Sequence, residues 1–307
     1  MSVFGFATTV DDVIASVDLT GKTAVVTGAS SGLGLQTVAA LASAGADVVA
    51  AVRDPEKFRA GGDWLELGEL TPRIHPVPLD LARLASVRAA GQTIASRYPL
   101  LDILINNAGV MFTPHNTTAD GFELQFGINH LGHFQLTTLL LPQLRAAAAA
   151  SGNARVVTVT SEVHRNWGID LDDISFDRRG YDTFLAYGQA KSANILMTVE
   201  LHRRFDADGI TALAVHPGTC VTNLGRYMDR ATAKKLFAMG GETFAPENMK
   251  SVAQAAATTV WAATEPSLAG RGGAYLADCQ IAEAAPAATD SATAQRLWLL
   301  SQEWVQA

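Results

Sequence analysis

Cysteine is scarce in this chain. Only Cys220 and Cys279 occur in 307 residues, with no CxxC spacing, which argues against a disulfide scaffold or a zinc cluster and fits a reducing compartment. Both read as packing residues. No run of Lys or Arg appears, and 23 basic against 30 acidic residues leave a net charge of −7. The basic footprint that a phosphate backbone requires is missing, so nucleic acid is not an expected partner. Long apolar runs are missing as well. The N-terminal stretch carries Asp11, Asp12 and Asp18 before any Lys or Arg, and its apolar segments are too short for a signal-peptide core or a membrane span. A soluble, cytoplasmic protein without a membrane span is the expectation. No repeat period and no Pro/Gly/Ser linker divides the chain, so residues 1–307 read as one domain.

What the chain does have is apolar side chain in quantity. A composition that is 48% hydrophobic and 17% charged excludes a disordered chain and supplies a large core. From Thr23 onward, short β-branched runs alternate with longer alanine-rich amphipathic stretches, the pattern of βαβ units around a parallel sheet. Strands are expected at Thr23 to Thr27, Asp47 to Val52, Ile74 to Val77, Leu101 to Asn106, Arg155 to Thr160, Ile210 to His216 and Gly273 to Leu276. Helices are expected over Gly32 to Ala44, Leu81 to Arg97, Phe122 to Ala149, Phe184 to Phe205 and Val252 to Ala263. Gly45, Pro99 and Gly209 serve as stops. The fold class that follows is α/β, a doubly wound Rossmann-type domain with a parallel sheet of about seven strands. The least periodic stretches, 163–182 and 222–250, fall directly after candidate site residues. Segment 222–250 is the expected substrate lid, because ligands of such sheets sit outside the carboxyl ends of the strands.

The first strand runs into Gly28, Ala29, Ser30, Ser31, Gly32, Leu33 and Gly34 and then a helix. Glycines permit a tight turn and close backbone approach, and amides at a helix N-terminus face the pyrophosphate of a dinucleotide. Alone, such a turn is modest grounds, and its G-x-x-x-G-x-G spacing differs from the G-x-G-x-x-G fingerprint. Tyr187 and Lys191 stand at i and i+4 on an expected helix, hence on one face. An ammonium beside a phenol favours phenolate, bringing a group of pKa about 10 toward neutral proton exchange. A lone pair of this kind is usually a surface pair; the strand end Thr158 to Ser161 just before it favours a site.

TGASSGLG at 27–34, NNAG at 106–109, Asn129, Ser161, YGQAK at 187–191 and HPG at 216–218 resemble, in order and spacing, the short-chain dehydrogenase/reductase family. The match runs from about Lys22 to Leu276. AVRDPEK at 51–57, NHLGHF at 129–134 and AVHPG at 214–218 look closest to its retinol-dehydrogenase-like branch, with features shared by light-dependent protochlorophyllide reductases. The resemblance implies an oxidoreductase passing hydride between a nicotinamide cofactor and the carbonyl or alcohol carbon of a small lipophilic substrate. Tyr187 is then the acid or base, Lys191 tunes the phenol and binds the nicotinamide ribose, and Ser161 hydrogen-bonds the substrate oxygen. Asn129 holds a water that relays protons through Lys191.

Cofactor choice turns on the end of the second strand. Relatives that use NAD place an acidic side chain there for the ribose 2′-hydroxyl, whereas this chain has Val52 followed by Arg53. A cation at this place suits a 2′-phosphate, so NADP is expected over NAD. The alternative pairs Arg53 with Asp54 or Glu56, and Ser31 stands where NADP-preferring relatives often carry a basic residue. Asp80 and Leu81 resemble the adenine contact, with Asp80 alternatively a helix cap. Asn107, Ala108 and Gly109 let the cofactor lie on the backbone, or form a plain turn. Pro217, Gly218, Thr219 and Thr222 resemble the segment that closes over the nicotinamide and its phosphates.

His130 and His133 share a helix face without a carboxylate or cysteine at ligand spacing, so packing is expected and no metal. His164 and Trp167 are pocket or loop residues. Met111, Phe184, Tyr227, Met228, Phe237, Met239 and Phe244 are candidates for a lipophilic pocket or for ordinary core. Two alternatives stand beside the main reading: a C=C reductase of the protochlorophyllide-reductase type, and a non-catalytic nucleotide-binding interaction protein. The cysteine-rich pocket of the former has no counterpart beyond Cys220 and Cys279. Intact Asn129, Ser161, Tyr187 and Lys191 speak against the latter. Homo-oligomers through the helices near 122–149 and 184–205 are an expectation from the family.

Overall fold

The computed structural model of the chain describes residues 4–241 and 245–306. Strands β1 (Thr23–Thr27), β2 (Asp47–Val52), β3 (Ile74–Pro78), β4 (Ile103–Asn106), β5 (Ala154–Val159), β6 (Ile210–His216), β7 (Tyr275–Ala277) and β8 (Gln280–Ala282) form one sheet in the order 3-2-1-4-5-6-7-8. All neighbours are parallel except β7 and β8. The expected doubly wound α/β domain is therefore present, and β8 is one strand more than the sequence disclosed. It is three residues long, with Ile281 exposed, so it lacks the apolar run that marks the buried strands.

Both faces of the sheet are covered, and the period-two alternation of the strands assigns side chains to them. Ala24 and Val26 of β1, with Val48, Ala50 and Val52 of β2, join a core under helices α1 (Val10–Ile14), α2 (Gly32–Ser43) and the helix at Val252–Thr264. Val25, Val49 and Ala51 face the other way, into a core formed with α3 (Leu84–Arg97), α4 (Gly132–Ser151) and α5 (Thr183–Phe205). Each fully buried Val or Leu contributes about 1.5–3 kcal/mol relative to exposure. In α2 the buried Gly34, Thr37, Val38 and Leu41 follow the i, i+3, i+4, i+7 stripe of a core-facing helix.

The remaining long helices are α6 (Arg230–Gly240), α7 (Val252–Thr264) and α8 (Ser291–Gln306). Of these only α7 was expected. The single helix expected over 122–149 is corrected in detail: Glu123 caps a short helical turn at Leu124–Phe126, a π-helical turn spans Gly127–Leu131, and α4 continues to Ser151, where Gly152 ends it with φ 84°. No helix among the described residues is long and apolar enough to cross a membrane.

Candidate active site

Ligands of a doubly wound sheet bind beyond the carboxyl ends of the strands where strand order reverses, here between β1 and β4. A cleft of about 980 Å³ opens at that place. Gly28, Ser30, Ser31, Gly32, Leu33, Gly34, Arg53, Asp80, Leu81, Asn107, Ala108, Gly109, Ser161, Tyr187, Lys191, Pro217, Gly218, Thr219 and Thr222 all line it. Asn129 does not; it lies one layer below.

The turn after β1 is shaped for a ligand's backbone approach. Gly28 has φ +65°, and a Cβ there would stand 2.8 Å from Ala108 Cα. A Cβ on Gly34 would collide with the Gly28 carbonyl and stand 2.7 Å from Asn107 Nδ2. Ser31 caps α2 without a side-chain bond, leaving the first amides of the helix for an anion. The Thr27 hydroxyl accepts from the amides of Asn107 and Ala108 at 2.9 and 3.0 Å, and Asn107 Nδ2 donates to the Thr27 carbonyl at 2.8 Å. These bonds tie the NNAG turn to β1. The glycine cradle, the free helix amides and the basic Arg53 together fit a dinucleotide.

Arg53 is exposed and makes no ion pair among the described residues, so the expected alternative of pairing with Asp54 or Glu56 is not what the fold adopts. Asp54 instead caps a short helix by accepting from the Lys57 amide at 2.9 Å. Asp80 lines the cleft and accepts from the Ala82 amide at 3.0 Å in the turn before α3; it is not the helix cap that was its alternative, since α3 starts after Arg83 and Asp120 accepts from the Leu84 amide at 2.8 Å.

Tyr187 and Lys191 sit on α5, whose start Asp182 caps by accepting from the amides of Phe184 and Leu185 at 2.8 and 3.1 Å. Both are buried, and the Lys191 ammonium stands 5.7 Å from the Tyr187 ring centroid. Lys191 Nζ donates to the Val159 carbonyl at 3.0 Å. In this structure the direction of the Tyr187 shift is set by burial and not by the Tyr–Lys spacing. Burial holds the Tyr187 phenol above its ordinary value, opposed only by a hydrogen bond with Ser161, and burial pushes Lys191 down to about 8. Desolvation outweighs the hydrogen bond with Ser161.

Asn129 lies in the π-turn, where Gly132 N–H reaches back to the Gly127 carbonyl. Its side chain pairs with one residue twice: Val110 N donates to Asn129 Oδ1 at 2.8 Å, and Asn129 Nδ2 donates to the Val110 carbonyl at 2.9 Å. The amide thus fixes the segment after NNAG, and the Asn129 carbonyl lies 2.9 Å from His133 Nδ1. His133 Nε2 lies 2.8 Å from Thr27 Oγ1. With two amides donating to that oxygen, the threonine proton goes to His133 Nε2 and Nδ1–H donates to Asn129. His130 lies 2.9 Å from Ser301 Oγ. Each ring has its own partners.

Trp167, Met111, Tyr227, Met228, Phe237 and Met239 line the cleft as expected of pocket residues. Phe184 stands behind the wall, packed on Phe112 and Trp167 at ring distances of 4.5 and 6.1 Å. His164 is buried beneath Ser161 rather than lining the pocket, and Phe244 lies outside the described residues. Cys220 lines the cleft while Cys279 is core. Phe112 was not anticipated. It holds φ 54°, with its amide bonded to Gln125 Oε1 at 2.9 Å and its ring 5.3 Å from that of Tyr187. Its apolar place directly after NNAG-V-M was the available signal. Glu162, Arg165 and Leu224 also line the cleft unanticipated.

A glycine-lined turn at a switch-point cleft, with serine, tyrosine and lysine along one wall, defines a dinucleotide-dependent oxidoreductase. Residues 22–233 match the family model described as short chain dehydrogenase. The chain is 40% identical over 293 residues to retinol dehydrogenase 13 of Homo sapiens, covering 93% of this chain and 85% of that protein. A crystal structure of an uncharacterised Mycobacterium paratuberculosis protein is 35% identical with a TM-score of 0.74, covering 96% of this chain and 97% of that one. The Pseudomonas aeruginosa RhlG/NADP active-site complex is 25% identical with a TM-score of 0.66, covering 85% and 95%. The chain belongs to the short-chain dehydrogenase/reductase family, in its retinol-dehydrogenase-like branch, and is an NAD(P)-dependent oxidoreductase acting on CH–OH/C=O groups.

Proposed function

We propose that this chain is an NADP(H)-dependent oxidoreductase of a lipophilic carbonyl or alcohol, with Tyr187, Lys191 and Ser161 as its catalytic groups and Asn129 as their support. The observation that carries the reading is the convergence of Ser161, Tyr187 and Lys191 on one wall of the glycine-lined cleft. NADP is favoured over NAD by Val52 and the unpaired Arg53, and the RhlG relative is a complex with NADP. A lipophilic substrate is favoured by Phe112, Trp167, Met228, Leu236 and Met239 along the cleft and by the retinol dehydrogenase relatives. Segment 222–250, which contributes α6 and a bridge between Thr219 and Met249, is assigned as the substrate lid. A cytoplasmic location is part of the same proposal.

Bound nicotinamide supplies or accepts the hydride at the substrate carbon. Gly28, Gly32 and Gly34 with the α2 amides would hold the pyrophosphate, Arg53 the 2′-phosphate, Asp80 and Leu81 the adenine, and Thr219 and Thr222 the nicotinamide end. Lys191 would bind the ribose. Ser161 orients the substrate oxygen. Tyr187, kept protonated by burial, gives its proton to that oxygen in reduction. Asn129 fixes the backbone floor through Val110.

The test is nicotinamide oxidation by the purified protein with NADPH and with NADH over a panel of apolar and polar carbonyls. The expected outcome is turnover, faster with NADPH and with the apolar members. Tight NADPH binding without turnover of any carbonyl would support the non-catalytic alternative instead.

A further inference from the structure

Ser161 leaves β5 in extended conformation, φ −159° and ψ 156°, and caps the turn Glu162–Arg165. Its hydroxyl is weakly held locally, since the bond from Val163 N is 3.4 Å long, near the limit of a useful contact. The peptide of Ser161 is held far better. His164 Nδ1 lies 2.7 Å from the Ser161 carbonyl, and the Ala285 amide donates to His164 Nε2 at 3.0 Å.

Backbone chemistry fixes the tautomer. A carbonyl only accepts and an amide only donates, so Nδ1 carries the proton and Nε2 the lone pair. The ring is 2% exposed and stands 5.0 Å from the Tyr275 ring. The neighbouring side chains of the same turn reach the same place: Tyr275 Oη donates to Glu162 Oε2 at 2.8 Å, and Arg165 bonds to the Glu283 carbonyl. The turn after the serine is thus attached through three polar contacts, from Glu162, His164 and Arg165, to the segment from Tyr275 to Ala285.

We propose that His164 is a positioning residue for Ser161, holding the serine peptide against the C-terminal segment so that its hydroxyl faces the Tyr187 phenol. The inference rests on the reading of Ser161 as the group that orients the substrate oxygen. It makes the β7–β8 hairpin and the chain to Ala285 part of the catalytic frame, although neither His164 nor Ala285 lines the cleft.

The experiment compares His164→Ala, His164→Asn, Ser161→Ala and the double variant His164→Ala/Ser161→Ala, reading kcat for one carbonyl and Kd for NADPH by fluorescence. Asparagine retains a donor near the Nδ1 position and loses the reach to Ala285. His164→Ala is expected to lower kcat about tenfold, the scale of one buried hydrogen bond left unmade, and His164→Asn to recover only part of that loss, because it keeps the bond to the Ser161 carbonyl and loses the tie to Ala285. Kd for NADPH should stay at the wild-type value in both, which also shows the cradle to be folded. On the Ser161→Ala background the His164→Ala loss should vanish, because residues acting as one unit are non-additive. Wild-type kcat in His164→Ala, a loss that persists in full on the Ser161→Ala background, or loss of NADPH binding in both His164 variants would overturn the proposal. Wild-type turnover by Ser161→Ala would overturn the underlying reading of the serine itself, an outcome separate from these.

Discussion

Arg53 puts a guanidinium at the mouth of the cleft with no carboxylate to neutralise it among the described residues. If it holds a 2′-phosphate, Arg53→Ala loses charge-assisted hydrogen bonds that NADH never makes. The expected result is a fall of roughly 10- to 100-fold in kcat/KM for NADPH, on the scale of about 1.5–3 kcal/mol for bonds to a charged group, with NADH little changed. Val52→Asp in the same background adds a ribose acceptor and repels phosphate, moving preference further toward NADH. Kinetics with both cofactors and one carbonyl check this; an unchanged NADPH/NADH ratio would remove Arg53 from the account. At this scale much of the site was legible, because Ser161, Tyr187, Lys191 and the glycines carry their chemistry in residue type and spacing. Two things were not. The direction of the Tyr187 shift depends on how deeply α5 is buried, which a spacing of four residues does not reveal. Phe112 and His164 act through backbone conformation and distant partners, Gln125 and Ala285, that no local pattern connects.

The elements proposed to hold the cofactor are β1, the turn after it and α2, and their geometry is set by hydrogen atoms where side chains would be. Gly34→Ala should be the most disruptive single methyl in the cradle, since its Cβ would meet backbone oxygen rather than the flexible end of a side chain. The expected outcome is loss of NADPH binding, measured by fluorescence titration, together with a lower melting temperature; wild-type affinity would show the cradle to be more open than it is here. The boundaries of β1, β2 and β6 matched their apolar runs because those strands are buried on both faces. Other elements resisted reading for physical reasons. A π-turn inserts a residue into a helical stripe without leaving a turn residue behind, so Gly127–Leu131 looked continuous with α4. Helix α6 is largely exposed and mixes Lys234 and Lys235 with Leu236 and Phe237, which blurs its apolar face. Helix α8 lies beyond the stretch carrying the family motifs and is recognised as core-facing only because Ala294, Leu297 and Trp298 pack on α4 and α5.

For the molecule as a whole, the fully buried histidines link folding to pH. Burial pushes His130 down to about 3 and His133 down to about 4, each from an ordinary value of 6.5. Because a base with a depressed folded-state pKa is protonated first in the unfolded chain, unfolding takes up protons as pH falls below about 6.5, and stability is lost through that window. Each histidine contributes a slope of about 1.4 kcal/mol per pH unit. Urea unfolding between pH 7 and pH 5 should therefore show a clear loss of stability, large against a typical total of about 5–15 kcal/mol, and His130→Gln should reduce the slope by one histidine's share while His133 and His216, also pushed down to about 4, keep theirs. Equal stability across that range would contradict the assignment of both rings as buried and neutral.

The central claim is that this cleft moves a hydride with Tyr187 as the proton donor. The most direct measurement is kcat for carbonyl reduction and Kd for NADPH in wild type and in Tyr187→Phe, which deletes one hydroxyl and leaves the ring packed on Phe112. The account predicts a loss in kcat of about 10²–10⁴, the usual contribution of general acid catalysis, with NADPH affinity unchanged. Wild-type kcat in Tyr187→Phe would contradict it.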